Sequence, residues 1–389
     1  MQLDELIRDE AARREAFPVC GEGIFLAHAG VAPLPRVAVE ALHAFARLGS
    51  LNAQENQESA RLVRQTRADA AELIGADADE ISLLGPTSLG LSLVARGLDW
   101  ARGDEVVYHA DDYPANVYPW LALQDFGVSP VPLNPEQPGV ITWEVVEAAL
   151  SPRTKLVALA SCHFLSGYRI DVDGIGRRLH ERGVLFCVDA IQTLGAFPLS
   201  VEHVDFLSAD SHKWLLGPCG AGIFYVKRAR QADLRPALLG AWNVSSPDFI
   251  AQPDITLEAG GRRYEPGALN LPGIYAMQAS LRLLLDFGVP AVGRRLLDLR
   301  RYLLEGVRAK GYELHLEAWD TGPAAEDAAR TAIVSIHRPG TDMEALFKQL
   351  LAAKVTASLR RTREGRALLR FSPHGYNSEA ELDRVLALL

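Results

Sequence analysis

Between Glu80 and Lys227 short apolar runs alternate with helical stretches, and nothing else in the chain restricts its fold as much. The runs are EISLLG, DEVVYH, VSPVPL, KLVALAS, VLFCVDA, DFLSAD and GIFYVK. Most are apolar at successive rather than alternate positions, which suits strands covered on both faces. Such strands form a mostly parallel sheet between helices. The intervening helices are expected up to Trp100 and near 115–126, 142–150 and 173–182. In a sheet of this kind a ligand sits beyond the carboxyl ends of the strands. Thr87, Tyr113, Asp189 and Lys213 each follow one of the runs, so they collect on one rim.

After about residue 270 the pattern changes to long helices (Pro272–Phe287 and Val289–Lys310) and two strand-like runs, TAIVSIH and ALLRFS, with ELDRVLAL as a last helix. Ahead of the alternating region lie an acidic amphipathic helix over 1–18, an extended IFLAHAGVAPLP, and helices over Arg36–Ala46 and Arg61–Gly75. The first helix is expected to pack away from the main body, with the small domain. A chain of 389 residues has room for this division. It gives an N-terminal helix (1–20), a large domain (21–270) and a smaller α+β domain (271–389).

Composition removes several function classes. A net charge of −9 argues against a nucleic-acid partner, whose binding rests on neutralising phosphates. The longest apolar stretches fall short of the roughly 18 residues of a membrane span. The acidic N-terminus does not read as a signal peptide. The four cysteines show no metal-type spacing, and Cys162 and Cys187 lie in strand-like runs. Buried thiols in a reduced, cytoplasmic protein are expected, with no metal.

The chemistry is concentrated in Val188–Lys227. An aldehyde cofactor with a basic ring nitrogen needs a lysine amine for a Schiff base and a carboxylate that keeps the ring protonated. Lys213 and Asp189 are that pair. The segment D-A-I-Q-x-x-G-A-x-P, followed by D-F and then H-K-W-L-x-G-P-x-G-x-G, resembles the cofactor segment of the class V aminotransferases. That family includes cysteine desulfurases, selenocysteine lyases, kynureninases and isopenicillin N epimerase. The resemblance implies a fold-type I α/β transferase, with a seven-stranded mostly parallel sheet in its large domain. It also implies pyridoxal 5'-phosphate as cofactor, an amino acid as substrate, and a homodimer with sites shared between subunits.

Residue by residue, the resemblance makes Lys213 the Schiff-base lysine and the acid-base at the substrate's α-carbon. Asp189 becomes the partner of the ring nitrogen and Gln192 that of the ring's 3-oxygen. The turn Gly85-Pro86-Thr87-Ser88 opens a helix, where backbone amides and two hydroxyls suit a phosphate dianion. His212 is its expected second contact. Asp210 stands where the family often has a small hydroxyl or amide, so its carboxylate is expected to turn away and Ser211 to serve instead. Tyr113, before a proline, takes the place of the ring stacked on the cofactor. Arg370 matches the family's R-x-S…Y-N segment and would grip the substrate carboxylate by two parallel hydrogen bonds. Arg361, in a run of arginines, could meet an acidic side group, and His28 with Gly30 matches a substrate-side loop. In Arg263–Asn270 an alanine, Ala268, replaces the family's threonine, leaving Trp242 or a backbone amide to reach the neighbouring subunit's phosphate.

The reaction is a separate question. Cysteine desulfurases carry a nucleophilic cysteine shortly before the carboxylate-binding arginine, and Val355–Arg370 contains none. The expectation is therefore elimination at a Cβ–S or Cβ–Se bond without a persulfide cysteine. The alternatives are transamination, epimerisation and kynureninase-like hydrolysis.

Overall fold

The computed structural model describes residues 3–316 and 328–389. The chain opens with three short helices, α1 (Leu3–Arg8), α2 (Glu10–Ala16) and α3 (Val19–Glu22). The single helix expected over 1–18 is broken at Asp9, whose backbone is extended and whose carboxylate caps the N–H groups of Ala11 and Ala12. This segment packs on the C-terminal part of the chain and also joins the main core. Leu3, Leu6 and Phe17 are buried in the main core, Phe17 stacks on Tyr376, and Arg13 pairs with Glu381.

A short strand, β1 (Ile24–Phe25), leads to α4 (Arg36–Leu51) and α5 (Gln57–Ile74). The seven apolar runs then become β2 (Ile81–Leu83), β3 (Glu105–His109), β4 (Ser129–Leu133), β5 (Thr154–Ala160), β6 (Leu185–Asp189), β7 (Phe206–Asp210) and β8 (Gly222–Val226). They form one sheet in the order β2-β8-β7-β6-β5-β3-β4, parallel except that β8 is antiparallel to both neighbours. Every residue of β2, β3, β7 and β8 is buried, as their unbroken apolar character requires.

Helices α6 (Thr87–Gly97), α7 (Tyr118–Leu121), α8 (Trp143–Glu147) and α9 (Val172–His180) connect these strands. The helix expected over 115–126 is replaced by α7 between two 3-10 turns. Val117 leaves helical geometry there, and Pro119 cannot donate to the turn before it. Packing of α6 on the sheet is close. A Cβ on Gly90 would lie 2.4 Å from Ser208 Oγ.

Two long helices, α10 (Leu271–Phe287) and α11 (Val289–Ala309), carry the chain onward, α10 packing on α4 and α5. The C-terminal part holds β9 (Glu313–Leu314), β10 (Val334–His337), β11 (Val355–Thr356), β12 (Ser358–Arg361) and β13 (Ala367–Phe371). The order β12-β13-β10-β9 is antiparallel throughout, while β11 pairs with β1. Leu299, Ile336, Leu350, Phe371 and Val385 share a separate core there, to which the helices Met343–Ala352 and Glu379–Leu388 contribute. No described helix is long and apolar enough to cross a membrane.

Candidate active site

Two neighbouring strand ends position the acid and the amine. β6 ends on Asp189, and Lys213 lies just beyond the end of β7. Past these ends opens a cavity of about 370 Å³, walled by Asp189, Lys213, Thr87, Ser88 and Tyr113. Its size falls in the range of small-molecule sites. Lys213 is only 7% exposed, and that burial lowers its ammonium to about 8 against the pull of Asp189. Burial likewise raises Asp189 to about 6, although the Ile191 N–H donates to it and Lys213 opposes the rise. Loss of water outweighs attraction in both groups, so the amine is held near the neutral form that attacks an aldehyde.

Tyr113 is half-exposed, with its ring centroid 5.4 Å from Lys213 Nζ and edge-on to Phe164 at 5.7 Å. Behind it lies Asp112, a residue that sequence reasoning passed over. Its carboxylate accepts from the Tyr113 N–H at 2.7 Å and from Asn116 Nδ2 at 2.9 Å. Burial, and after it the charge of Asp189, raises Asp112 to about 7. Gln192 lines the cavity and is buried. Its Nε2 donates to the Ala29 carbonyl at 3.1 Å and its Oε1 accepts from Trp214 Nε1 at 3.0 Å. One amide proton remains for a ring oxygen.

At the other end Thr87 and Ser88, the first residues of α6, line the cavity, at the end where a helix has N–H donors without internal partners. Thr87 Oγ1 accepts from the Asp210 N–H at 2.9 Å, which leaves its own proton to give. The turn before α6 runs against the turn between β7 and β8, because a Cβ on Gly85 would fall 2.6 Å from the Gly220 carbonyl carbon. Asp210 is turned into that second turn. Its carboxylate accepts from the Ser211 and Gly220 N–H groups and lies 3.0 Å from Nδ1 of His212, which itself lines the cavity.

The small-domain wall is different. Arg370, on β13, is 1% exposed. Its Nη1 donates to the Phe164 carbonyl at 2.6 Å, while Nε and Nη2 are buried without a partner. Burial, with Arg360 next, lowers its guanidinium to about 9. A buried cation with an open two-donor edge suits a carboxylate. This orphaned fork, the anion-ready start of α6 and the amine–acid pair between them fit pyridoxal phosphate and an amino acid. Gly30 also lines the cavity.

Three expected residues do not face the cavity, and Trp242, expected at the neighbouring subunit's phosphate, lies outside the cavity of its own chain. His28 is fully buried, its ring nitrogens bonded to the Ser372 carbonyl and the Tyr376 hydroxyl, so it supports the floor rather than meeting substrate. Ser211 is buried with its hydroxyl donating to the Pro218 carbonyl, so it shapes the lysine turn. Arg361 points outward and pairs with Glu344. Trp242 lines a separate groove with Arg67, Phe249 and Arg262. Of that run of arginines the one that lines the cavity beside Arg370 is Arg360, which the sequence did not single out.

Comparison with known proteins identifies the family. Residues 24–385 match the family Aminotransferase class-V. A probable cysteine desulfurase of Methanothermobacter thermautotrophicus is 30% identical over 290 residues, covering 73% of this chain and 72% of that one. The structure of a cysteine desulfurase from Thermococcus onnurineus NA1 superposes with a TM-score of 0.87 at 23% identity, over 97% of this chain and 96% of that one. The cystine C-S lyase C-DES, solved with cysteine persulfide, gives 0.84 at 22% identity, over 95% and 98%. At such identities the superpositions speak for the fold. Together with the match along nearly the whole sequence, they make this chain a member of the class V aminotransferase family, a pyridoxal-phosphate-dependent enzyme of fold type I.

Proposed function

We propose that the enzyme is a lyase that breaks the Cβ–S or Cβ–Se bond of an amino acid without a persulfide-forming cysteine of its own. The observation that carries this reading is the composition of the cavity wall. No cysteine lines it, and the β12–β13 hairpin presents arginines instead. Cys20, Cys162 and Cys187 are buried, and Cys219 sits on the turn between β7 and β8. Burial raises the thiols of Cys20 and Cys162 to about 12, so neither is a thiolate at neutral pH.

Pyridoxal phosphate, when bound, supplies an electron sink conjugated to the substrate's α-carbon. Asp189 would hold the proton on its ring nitrogen and Gln192 would meet its ring oxygen. Thr87, Ser88 and His212 would hold its phosphate, and Tyr113 would cover its open face. The fork of Arg370 fixes the α-carboxylate and so sets which α-bond faces Lys213. Lys213, its amine freed by burial, removes the α-proton, and the leaving group departs from Cβ with its bonding pair. Hydrolysis of the released product gives a 2-oxo acid and ammonia.

The reading extends to a cytoplasmic homodimer. Four unpaired cysteines suit a reducing compartment. Exposed Leu238, Leu239, Phe249, Ile250 and Ile255, near the Trp242 groove, suit a second copy. The deciding experiment incubates the cofactor-loaded protein with sulfur- and selenium-containing amino acids and assays 2-oxo acid, ammonia and released sulfide or selenide. Stoichiometric release supports the lyase. Amino transfer to an added 2-oxo acid without ammonia overturns it.

A further inference from the structure

We infer that the substrate is an amino acid whose side chain carries its own anionic group, and that Arg360 is the residue that selects it. This inference rests on the proposed reading of the cavity as an amino-acid site. Within that site the α-carboxylate is provided for by Arg370 alone. Its Nη1 is spent on the Phe164 carbonyl, and the remaining Nε–Nη2 edge is a complete two-donor fork.

Arg360 is therefore surplus to that task. It lines the cavity, and no hydrogen bond or ion pair holds its guanidinium among the described residues. Register explains why it faces inward. Arg360 pairs with Leu368, and Ser358 pairs with Arg370, so Arg360 and Arg370 share one face of the hairpin while Arg361, opposite Ala367, takes the other. The two guanidinium groups converge above Gly30. A Cβ there would lie 3.8 Å from Arg360 Nη2 and 3.9 Å from Arg370 Nη2, so both guanidinium groups reach the same corner.

Charge makes the same point. Burial is the main cause that pushes Lys213 and Arg370 towards neutrality, and Arg360 adds to it in both as a like charge. The carboxylates near this end are Asp189, committed to the ring, and Asp112, committed to Asn116 and the Tyr113 N–H. A ligand with two anions offsets this repulsion, whereas a ligand with one leaves Arg360 uncompensated. A carboxylate, sulfinate or sulfonate on the side chain meets the requirement, because each presents a planar or pyramidal anionic oxygen edge to a guanidinium.

Calorimetric titration of the cofactor-loaded protein with succinate and with propionate tests this without turnover. Succinate is expected to bind at least tenfold tighter than propionate. Arg360→Gln should remove that preference and leave propionate affinity within twofold, Arg360→Lys should restore part of it, and Arg361→Gln should change neither ligand. Equal affinity of the wild type for the two acids overturns the inference, as does a succinate preference that survives Arg360→Gln in a protein with unchanged Tm. So does a parallel loss of both ligands in Arg360→Gln, which would mean that the two arginines clamp one carboxylate. The failures are separable from those of the lyase reading. Ammonia release without a succinate preference removes only the substrate class, and a succinate preference in a protein that releases no ammonia removes only the lyase.

Discussion

The two walls of the cavity are built on opposite terms. On the large-domain wall Gln192, Thr87 and Asp210 are already bonded to backbone or to one another. On the small-domain wall Arg370 keeps two buried donors open and Arg360 has no partner among the described residues. A wall whose side chains are anchored in advance, with donors left over, can hold a permanent cofactor at little reorganisation. A wall left unsatisfied binds what completes it and lets go when the ligand is consumed. The difference fits the proposed division of one cavity into a cofactor end and a substrate end, and it also separates what a substitution should cost.

The largest effect should follow from Lys213→Ala. It removes the Schiff-base amine and the acid-base group together. Activity should fall by more than about a thousandfold, and borohydride should no longer bleach a visible band in the cofactor-loaded protein. Next comes Arg370→Met, which loses a charge-assisted fork and should lower kcat/KM by roughly a hundredfold or more. Because it also removes a buried, incompletely bonded cation, its Tm without ligand should hold or rise. A drop of several degrees, read by calorimetry, would break the contrast between the walls.

The third effect is a pH dependence. The folded-state value of Lys213 is lowered to about 8 by burial, so the reactive neutral amine grows as pH rises through 8. Cofactor attachment to the cofactor-free protein, followed by absorbance, should quicken by roughly tenfold between about pH 7 and pH 9. The sign for stability is the same. The unfolded lysine binds its proton up to a higher pH, so the folded state gains stability as pH rises between the two values.

Smaller still is Gly90→Ala behind the large-domain wall, where α6 packs on the sheet and the new Cβ meets Ser208 Oγ at 2.4 Å. It should cost about 1–3 kcal/mol in chemical denaturation. Arg361→Gln, on the outward face, should leave kcat/KM within about twofold.

Much of this could be read from the sequence, and for a physical reason. Buried parallel strands demand unbroken apolar runs, so all seven strands of the large sheet were legible, as was the rim on which Asp189 and Lys213 stand. Errors arose where a side chain's direction depends on a remote partner. Arg360 and Arg361 are adjacent and alike, and only the register with β13 decides which of them looks inward. His28 follows a strand as a ligand-binding histidine would, yet Ser372 and Tyr376, far along the chain, claim both of its nitrogens. Asp112 gave no signal beyond being one acid of an Asp-Asp pair. The break at Asp9 was marked by the residue type itself, a good cap inside an apparent helix.

The backbone meeting of Gly85 and Gly220 has a consequence for cofactor analogues. The turn proposed to hold the phosphate and the lysine-bearing turn abut with no side chain between them, and the Asp210 carboxylate ties the second turn to its own start. Neither turn can slide to suit a longer or shorter molecule without dragging the other, so the span from aldehyde carbon to phosphorus is dictated by the polypeptide. An analogue with one extra methylene in its phosphate arm must leave one of its ends unmet.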